Sequence, residues 1–245
     1  MATAPAADQR KLLDVQDADL RAQQARHRRA TLPVLAQLEE LSARAADLGD
    51  ERATRSAAVG DLRREVTKVE DDVSAVRSRA ERDNARLNSG QGTPKDLQAL
   101  QSELELLARR KSELEDLELE AMERLETAEA ELADVEKQHG EISAQIETLT
   151  AERDAALAEI DGELEAIAAE RALAAQGLDT SLLSLYERLR DQHGGIGAAR
   201  LLRGQCQGCQ LSLNAGDLAA IVAAAPDQVV RCEECGRILV REDGA

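Results

Sequence analysis

The chain's only four cysteines fall in two short stretches: Cys206-x₂-Cys209 in "RGQCQGCQLSLN" and Cys232-x₂-Cys235 in "RCEECGRILV". Thiolate sulfur is a soft ligand. Two CxxC turns can each offer a pair, and four sulfurs complete a tetrahedron around Zn²⁺ with bonds of ~2.3 Å. Gly208 and Gly236 suit a backbone bent sharply around the ion. Two disulfides, or an iron site of the rubredoxin type, are the alternatives this spacing leaves open. Four sulfurs would leave no position for water or substrate, so one structural Zn²⁺ per chain, without catalysis, is the expected role.

The elements around the cysteines read as a ribbon. "IGAARLLR" and "RILV" are short strands before the first turn and after the second, and "NAGDLAAIVAAAP" between them is a short helix ending at Pro226. Residues 195–245 thus form a small α+β C4 zinc ribbon. With so little apolar material, its folding energy is expected to come largely from the metal. Arg200, Arg203, Arg231 and Arg237 flank the knuckles and are the candidate nucleic-acid or partner contacts. Against nucleic acid, the ribbon has no aromatic platform for stacking bases, and its six acids outnumber its five arginines.

What precedes the ribbon is almost all helix. The sequence holds no Trp, no Phe and one Tyr, Tyr186, while charged residues make up 32%. That composition belongs to long helices burying a narrow seam. The net charge of −17 is uneven: residues 1–93 are neutral and residues 94–177 carry −15. Such a chain repels phosphate backbones in general. No apolar run is long enough to span a membrane, and "MATAPAADQRKLL" lacks the layout of a secretion signal. Residues 1–7 read as a disordered lead, and the expected location is the reducing cytoplasm, which favours metal over disulfide.

From Leu38 to Leu87 a heptad is easily counted, with Val59, Val66 and Val73 in one series and Leu62, Val69 and Val76 in the other. It stops at "NSGQGTPKD", where Gly90 and Gly92 release the backbone and Thr93, Pro94 and Asp96 start a new helix with a capping box. A second heptad follows through Leu97, Leu100, Leu104, Leu107, Lys111, Leu114, Leu132, Val135, His139 and Ile142. Facing positions of the two seams keep a constant sum of residue numbers, so residues 8–177 read as a long antiparallel two-helix coiled-coil hairpin. Its tip lies at 88–95, its kink near Pro33, and its expected length is roughly 110–120 Å at 1.5 Å per residue. Arg52, Arg55, Lys111 and His139 interrupt the seam and fix its register. "RHRR" at Arg26–Arg29 reads as a solvated face. Ile160, Leu164 and Ile167 face a weakly apolar stretch. A packing helix in residues 178–194, with Leu182 and Tyr186 on its apolar face, is expected to cover them.

The tail motifs "LLSLYERL", "CQGC" and "RCEECGRIL", with "PKDLQALQSEL" after the tip and "SELEDLELEAME", resemble the bacterial coiled-coil, C4-type zinc-ribbon proteins, actinobacterial members above all. The resemblance covers nearly the whole chain and implies that Cys206, Cys209, Cys232 and Cys235 ligate zinc. Relatives in flagellated bacteria bind an alternative sigma factor and a flagellin message. The resemblance therefore implies a non-enzymatic adaptor or chaperone whose ribbon meets a protein of the transcription machinery (a sigma factor or RNA polymerase) or RNA. The alternative is a regulator that inserts a coiled-coil tip into the secondary channel of RNA polymerase. Such tips carry acidic residues, and "NSGQGTPK" has no carboxylate pair. An enzyme finds no support: no nucleophile set, phosphate loop or HExxH occurs, and His27, His139 and His193 lie far apart in sequence. The residues leave open whether the chain is monomeric or dimeric.

Overall fold

The computed structural model describes residues 2–241. Five helices and four short strands follow in order: α1 (Ala6–Ala30), α2 (Pro33–Asn88), α3 (Pro94–Ala175), α4 (Thr180–Gln192), β1 (Ala198–Leu202), β2 (Gln205–Cys206), α5 (Ala215–Ala223), β3 (Val230–Arg231) and β4 (Ile238–Arg241). They divide into two compact units. Ala36–Thr150 is the hairpin unit; Met1–Leu35 with Ala151–Ala245 is the terminal unit.

The hairpin unit is built from the two counted heptads. Along α2, Val59, Val66 and Val73 are buried, and Leu62, Val69 and Val76 of the other series are half-buried. Along α3, Leu107, Leu114, Ala121, Val135 and Ile142 are buried at heptad spacing, with Ala128 between them half-buried, and Leu104, Lys111, Leu132 and His139 are half-buried. Ion pairs cross the seam at its edges, Arg63 with Glu129 at 2.6 Å, Arg79 with Glu103 at 2.6 Å and Arg124 with Glu65 at 3.1 Å. The seam arginine Arg55 pairs with Glu51 and Glu131, whereas Arg52 lies exposed. At the tip Gly90 takes φ 65°, open only to residues that tolerate left-handed backbone. The capping box then closes: Thr93 donates its N–H to Asp96 Oδ2 at 2.9 Å, and Asp96 N–H reaches Thr93 Oγ1 at 3.3 Å.

In the terminal unit α1 ends at Thr31 and α2 opens with Pro33, whose missing N–H costs nothing at a first helical position. Ile167 is covered from α1, not from α4 as the sequence suggested: it is buried against Ala18 and Ala22, with Leu164 beside them. The "RHRR" segment is partly engaged, since Arg28 pairs with Glu163 and Arg29 with Asp161. α4 does pack on the base of the long helices, but against α1 and the end of α3 at Ala174 and Ala175, not over Ile167. Its Leu182, Tyr186 and Leu189 are buried with Leu12, Leu13 and Val15 of α1 and with Ala198, Val229, Ile238 and Val240 of the ribbon. Asp179 caps α4 by accepting from Leu182 N–H at 2.9 Å.

The ribbon is one four-stranded sheet in the order β2-β1-β4-β3, its two hairpins joined by the parallel pair β1 and β4, with Ala198 opposite Ile238 and Arg200 opposite Val240. Strand alternation splits its side chains between two cores. One face enters the α1/α4 core. The other, with Ala199, Leu201 and Leu239, packs with Ile221 of α5 and with Cys206 and Cys232. The ribbon therefore buries apolar surface on both faces besides offering its cysteines to the metal. The lead also departs from its expected disorder. Ala2 accepts from Val229 N–H, Ala4 N–H donates to Asp227, and Ala4 is buried; Met1 lies outside the described residues.

Candidate metal centre

Each cysteine pair sits on a knuckle whose backbone is set by local hydrogen bonds. In the first, Cys206 at the end of β2 donates its N–H to Leu211 O at 3.0 Å, and Gln210 N–H returns to Cys206 O at 2.7 Å. In the second, Cys232 N–H donates to Arg237 O at 2.9 Å and Gly236 N–H returns to Cys232 O at 2.7 Å. The residue after the second cysteine is left-handed in both, Gln210 at φ 59° and Gly236 at φ 73°. Gly208, expected to ease the first bend, serves another need: a Cβ there would stand 2.8 Å from Arg237 Cδ and 2.9 Å from Ala199 Cβ. Its value is close packing of one knuckle against the other.

The two knuckles bring all four sulfurs within 4.8 Å of one another. Cys206 Sγ lies 4.0 Å from Cys235 Sγ, and Cys209 Sγ lies 3.9 Å from Cys232 Sγ. A tetrahedron with Zn–S bonds of ~2.3 Å has edges of ~3.8 Å, whereas a disulfide needs ~2.05 Å. All four are free thiols, each spaced for a shared ion and none for a bond to its neighbour. Without the ion the thiols differ. Burial pushes Cys232 up to about 12 and raises Cys206. Burial also opposes ionisation of Cys235, but N–H donation from the Arg237 backbone and guanidinium and S–H donation from Cys232 and Cys209 outweigh it and bring that thiol to about 7. Metal uptake must therefore expel protons from the buried pair. The chain holds one structural zinc, gripped by sulfur alone.

The four arginines divide. Arg237 is built into the site: its guanidinium donates to Ile196 O at 2.9 Å and His193 O at 3.1 Å, and its stem packs on Gly208. Arg231 donates to Gly236 O at 2.6 Å, so these two meet around Gly236 and His193. Arg200 on β1 and Arg203 in the turn after it are exposed.

Several residues that hold the terminal unit together were not singled out in the sequence. Buried Gln16 on α1 donates to Gly195 O at 2.9 Å and accepts from Gly197 N–H at 2.8 Å and Ala198 N–H at 3.2 Å. Arg241 donates to the carbonyls of Ile221, Ala224, Ala225, Pro226 and Gln228 and so closes the end of α5. Asp19, with 12% of its side chain exposed, accepts from Arg171 at 2.7 Å, Tyr186 Oη at 2.6 Å and Arg190 at 3.2 Å. Only a polar residue breaking an apolar helical face, as Gln16 does, offered a signal for these.

A closed four-cysteine ribbon following a long antiparallel helical hairpin defines a C4 zinc-ribbon coiled-coil protein. Residues 15–194 match the CT398-like coiled coil hairpin domain and residues 205–239 the C4-type zinc ribbon domain, and the chain belongs to the CT398-like hairpin family. A Mycobacterium tuberculosis protein is 38% identical over 97% of each chain, and a Mycobacterium leprae protein 30% identical over 89% of this chain and 94% of its own. A solved structure from Mycobacterium smegmatis is similar at TM-score 0.85 and 35% identity, covering 98% of this chain and all of that one. CT398 from Chlamydia trachomatis, 16% identical over 96% of this chain and 98% of its own, shares the fold at TM-score 0.68. No helix among the described residues is long and apolar enough to cross a membrane.

Proposed function

We propose that this zinc-binding coiled-coil protein is a non-enzymatic cytoplasmic adaptor whose ribbon takes a protein partner belonging to the transcription machinery. The observation that carries this reading is the second face of α5. Ile221 faces the ribbon core, yet Ala219, Ala220 and Ala223 are exposed and Val222 is 56% exposed. Asp217 in its first turn is the one charged residue of α5, and a helix otherwise apolar on both faces belongs in an interior, so this one lacks a cover. Leu202 and Leu211 add exposed apolar surface on the same ribbon. Zinc closed by four sulfurs supports a structural role. Arg231 and Arg237 are spent on backbone carbonyls, which leaves less of the basic patch for phosphate. The resemblance to sigma-factor-binding relatives directs the partner search to RNA polymerase and its sigma subunits. The secondary-channel alternative loses ground at the tip, where Asp96 is held in the capping box by Thr93.

The test is affinity capture from extract with the intact chain, with Val222→Asp plus Leu211→Ser, and with Arg200→Glu plus Arg203→Glu, proteins and RNA identified separately. A sigma subunit or polymerase retained by the arginine variant and lost with Val222→Asp supports the proposal. RNA lost only with the arginine variant replaces it by direct message binding. Zinc content and helicity check that each variant folds.

A further inference from the structure

We infer that α3 carries a second docking face, in the hairpin unit, for a basic amphipathic helix of a protein partner. This goes beyond the ribbon reading and does not rest on it. The exposed large apolar side chains described in Ala36–Thr150 are Leu106, Leu117, Leu119 and Met122, all on one stretch of α3. Leu119 is 61% and Met122 47% exposed. They do not lie in the seam, which here runs through Leu114, Ala121 and Leu125. A separate stripe in steps of three and four, Ala108, Ser112, Glu115, Leu119, Met122 and Glu126, passes through two of them, Leu119 and Met122, and leaves Leu106 and Leu117 off its line. These steps place residues on one helical face, the spacing by which one helix receives another.

Charge selects the occupant. Asp116, Glu120, Glu123 and Glu126 surround the two apolar side chains, are exposed, and form no ion pair among the described residues, although nearby Glu113 and Glu115 do. Unpaired carboxylates around an apolar strip repel nucleic acid, an anionic bilayer and a second copy of the same face. A helix presenting leucines flanked by lysines or arginines satisfies both demands.

The probe is a designed helical peptide of about 18 residues, five turns, with a leucine stripe and lysine flanks, titrated calorimetrically into the whole zinc-loaded protein. One control peptide has glutamate for lysine and another alanine for leucine. The lysine–leucine peptide should bind, and Leu119→Ser with Met122→Ser should weaken it roughly tenfold with protein charge unchanged. Glu123→Gln with Glu126→Gln should weaken it and flatten its salt dependence. Leu106→Ser should leave it unchanged. All these positions are exposed, and circular dichroism confirms the fold. Equal affinity of the serine variant, or of the alanine peptide, would reduce the effect to bulk charge and overturn the proposal. Tighter binding of the glutamate peptide, of single-stranded RNA or of anionic vesicles would replace the occupant. So would self-association abolished by Leu119→Ser.

Discussion

The two units are held together in opposite ways. In the hairpin unit the same small device repeats: a buried or half-buried apolar residue in nearly every heptad, a half-buried companion, and exposed ion pairs along the edge. In the terminal unit few interactions recur. Four sulfurs, the Asp19 cluster, the two-sided hydrogen bonding of Gln16 and the five carbonyls gathered by Arg241 each occur once. A repeated seam spreads its free energy, so any one lesion is small and local. A unit with singular contacts concentrates it, so single changes are felt throughout that unit.

Removing the metal should sharpen this contrast most. Structural Zn²⁺ contributes on the order of 10 kcal/mol or more in zinc-finger peptides. Chelation, or Cys232→Ser, should abolish amide-exchange protection in β1, β4 and α5, while Val59, Val66 and Val73 keep theirs. Acid should act in the same direction, because the ion leaves as the thiols regain protons. Equal loss in both units would sink the contrast.

Next in size is Leu182→Ser. Leu182 is fully buried where α4, α1 and the sheet meet, so the change creates a cavity and buries a hydroxyl. The expected cost is about 3–5 kcal/mol, read as lowered exchange protection from α1 to β4. Protection confined to its old values would mean that α4 is not part of that core.

How much of this was legible follows the same division. The hairpin could be read because heptad spacing is a statistical signal repeated many times, as the burial of Val59, Val66 and Val73 shows. The four zinc ligands could be read because CxxC spacing encodes their chemistry. The apolar face of α4 was legible in Leu182 and Tyr186, but the cover of Ile167 was misassigned, because it comes from Ala18 and Ala22 and alanines give no sign of which helix they receive. Nothing in "MATAPA" announces that Ala2 and Ala4 pair with residues 227–229, since such backbone bonds carry no side-chain signature. Arg237 read as a surface contact because a guanidinium aimed at carbonyls looks, in sequence, like any other.

A smaller effect separates the units by pH. Burial opposes ionisation of Asp19, but hydrogen bonds from Arg171, Tyr186 and Arg190 outweigh it and hold the carboxyl below its ordinary value of 3.8. A depressed carboxyl gives stability that is present above its ordinary value and lost as pH falls through the lower folded one. Tyr186 is shifted upward from 10.0 by burial and by Asp19, so its contribution is present below that value and is lost as pH rises beyond it. In zinc-loaded protein Asp19→Asn should flatten the acid limb and Tyr186→Phe the alkaline limb of terminal-unit stability, measured by exchange or denaturant. Unchanged limbs would show that the cluster is not linked to folding.

The smallest effect belongs to the hairpin edge. Arg63 reaches Glu129 at 2.6 Å, but its side chain is 65% exposed. Water screens such a pair, and ordering two long side chains costs entropy, so exposed pairs contribute about 0–1 kcal/mol. Arg63→Ala should therefore move hairpin stability by less than about 0.5 kcal/mol, and less still in high salt. Val66→Ala nearby, which empties a buried seam position, should cost about 1–2 kcal/mol. If Arg63→Ala proved the larger lesion, the edge charges and not the apolar seam would be holding α2 to α3, and the hairpin would share the terminal unit's dependence on singular contacts.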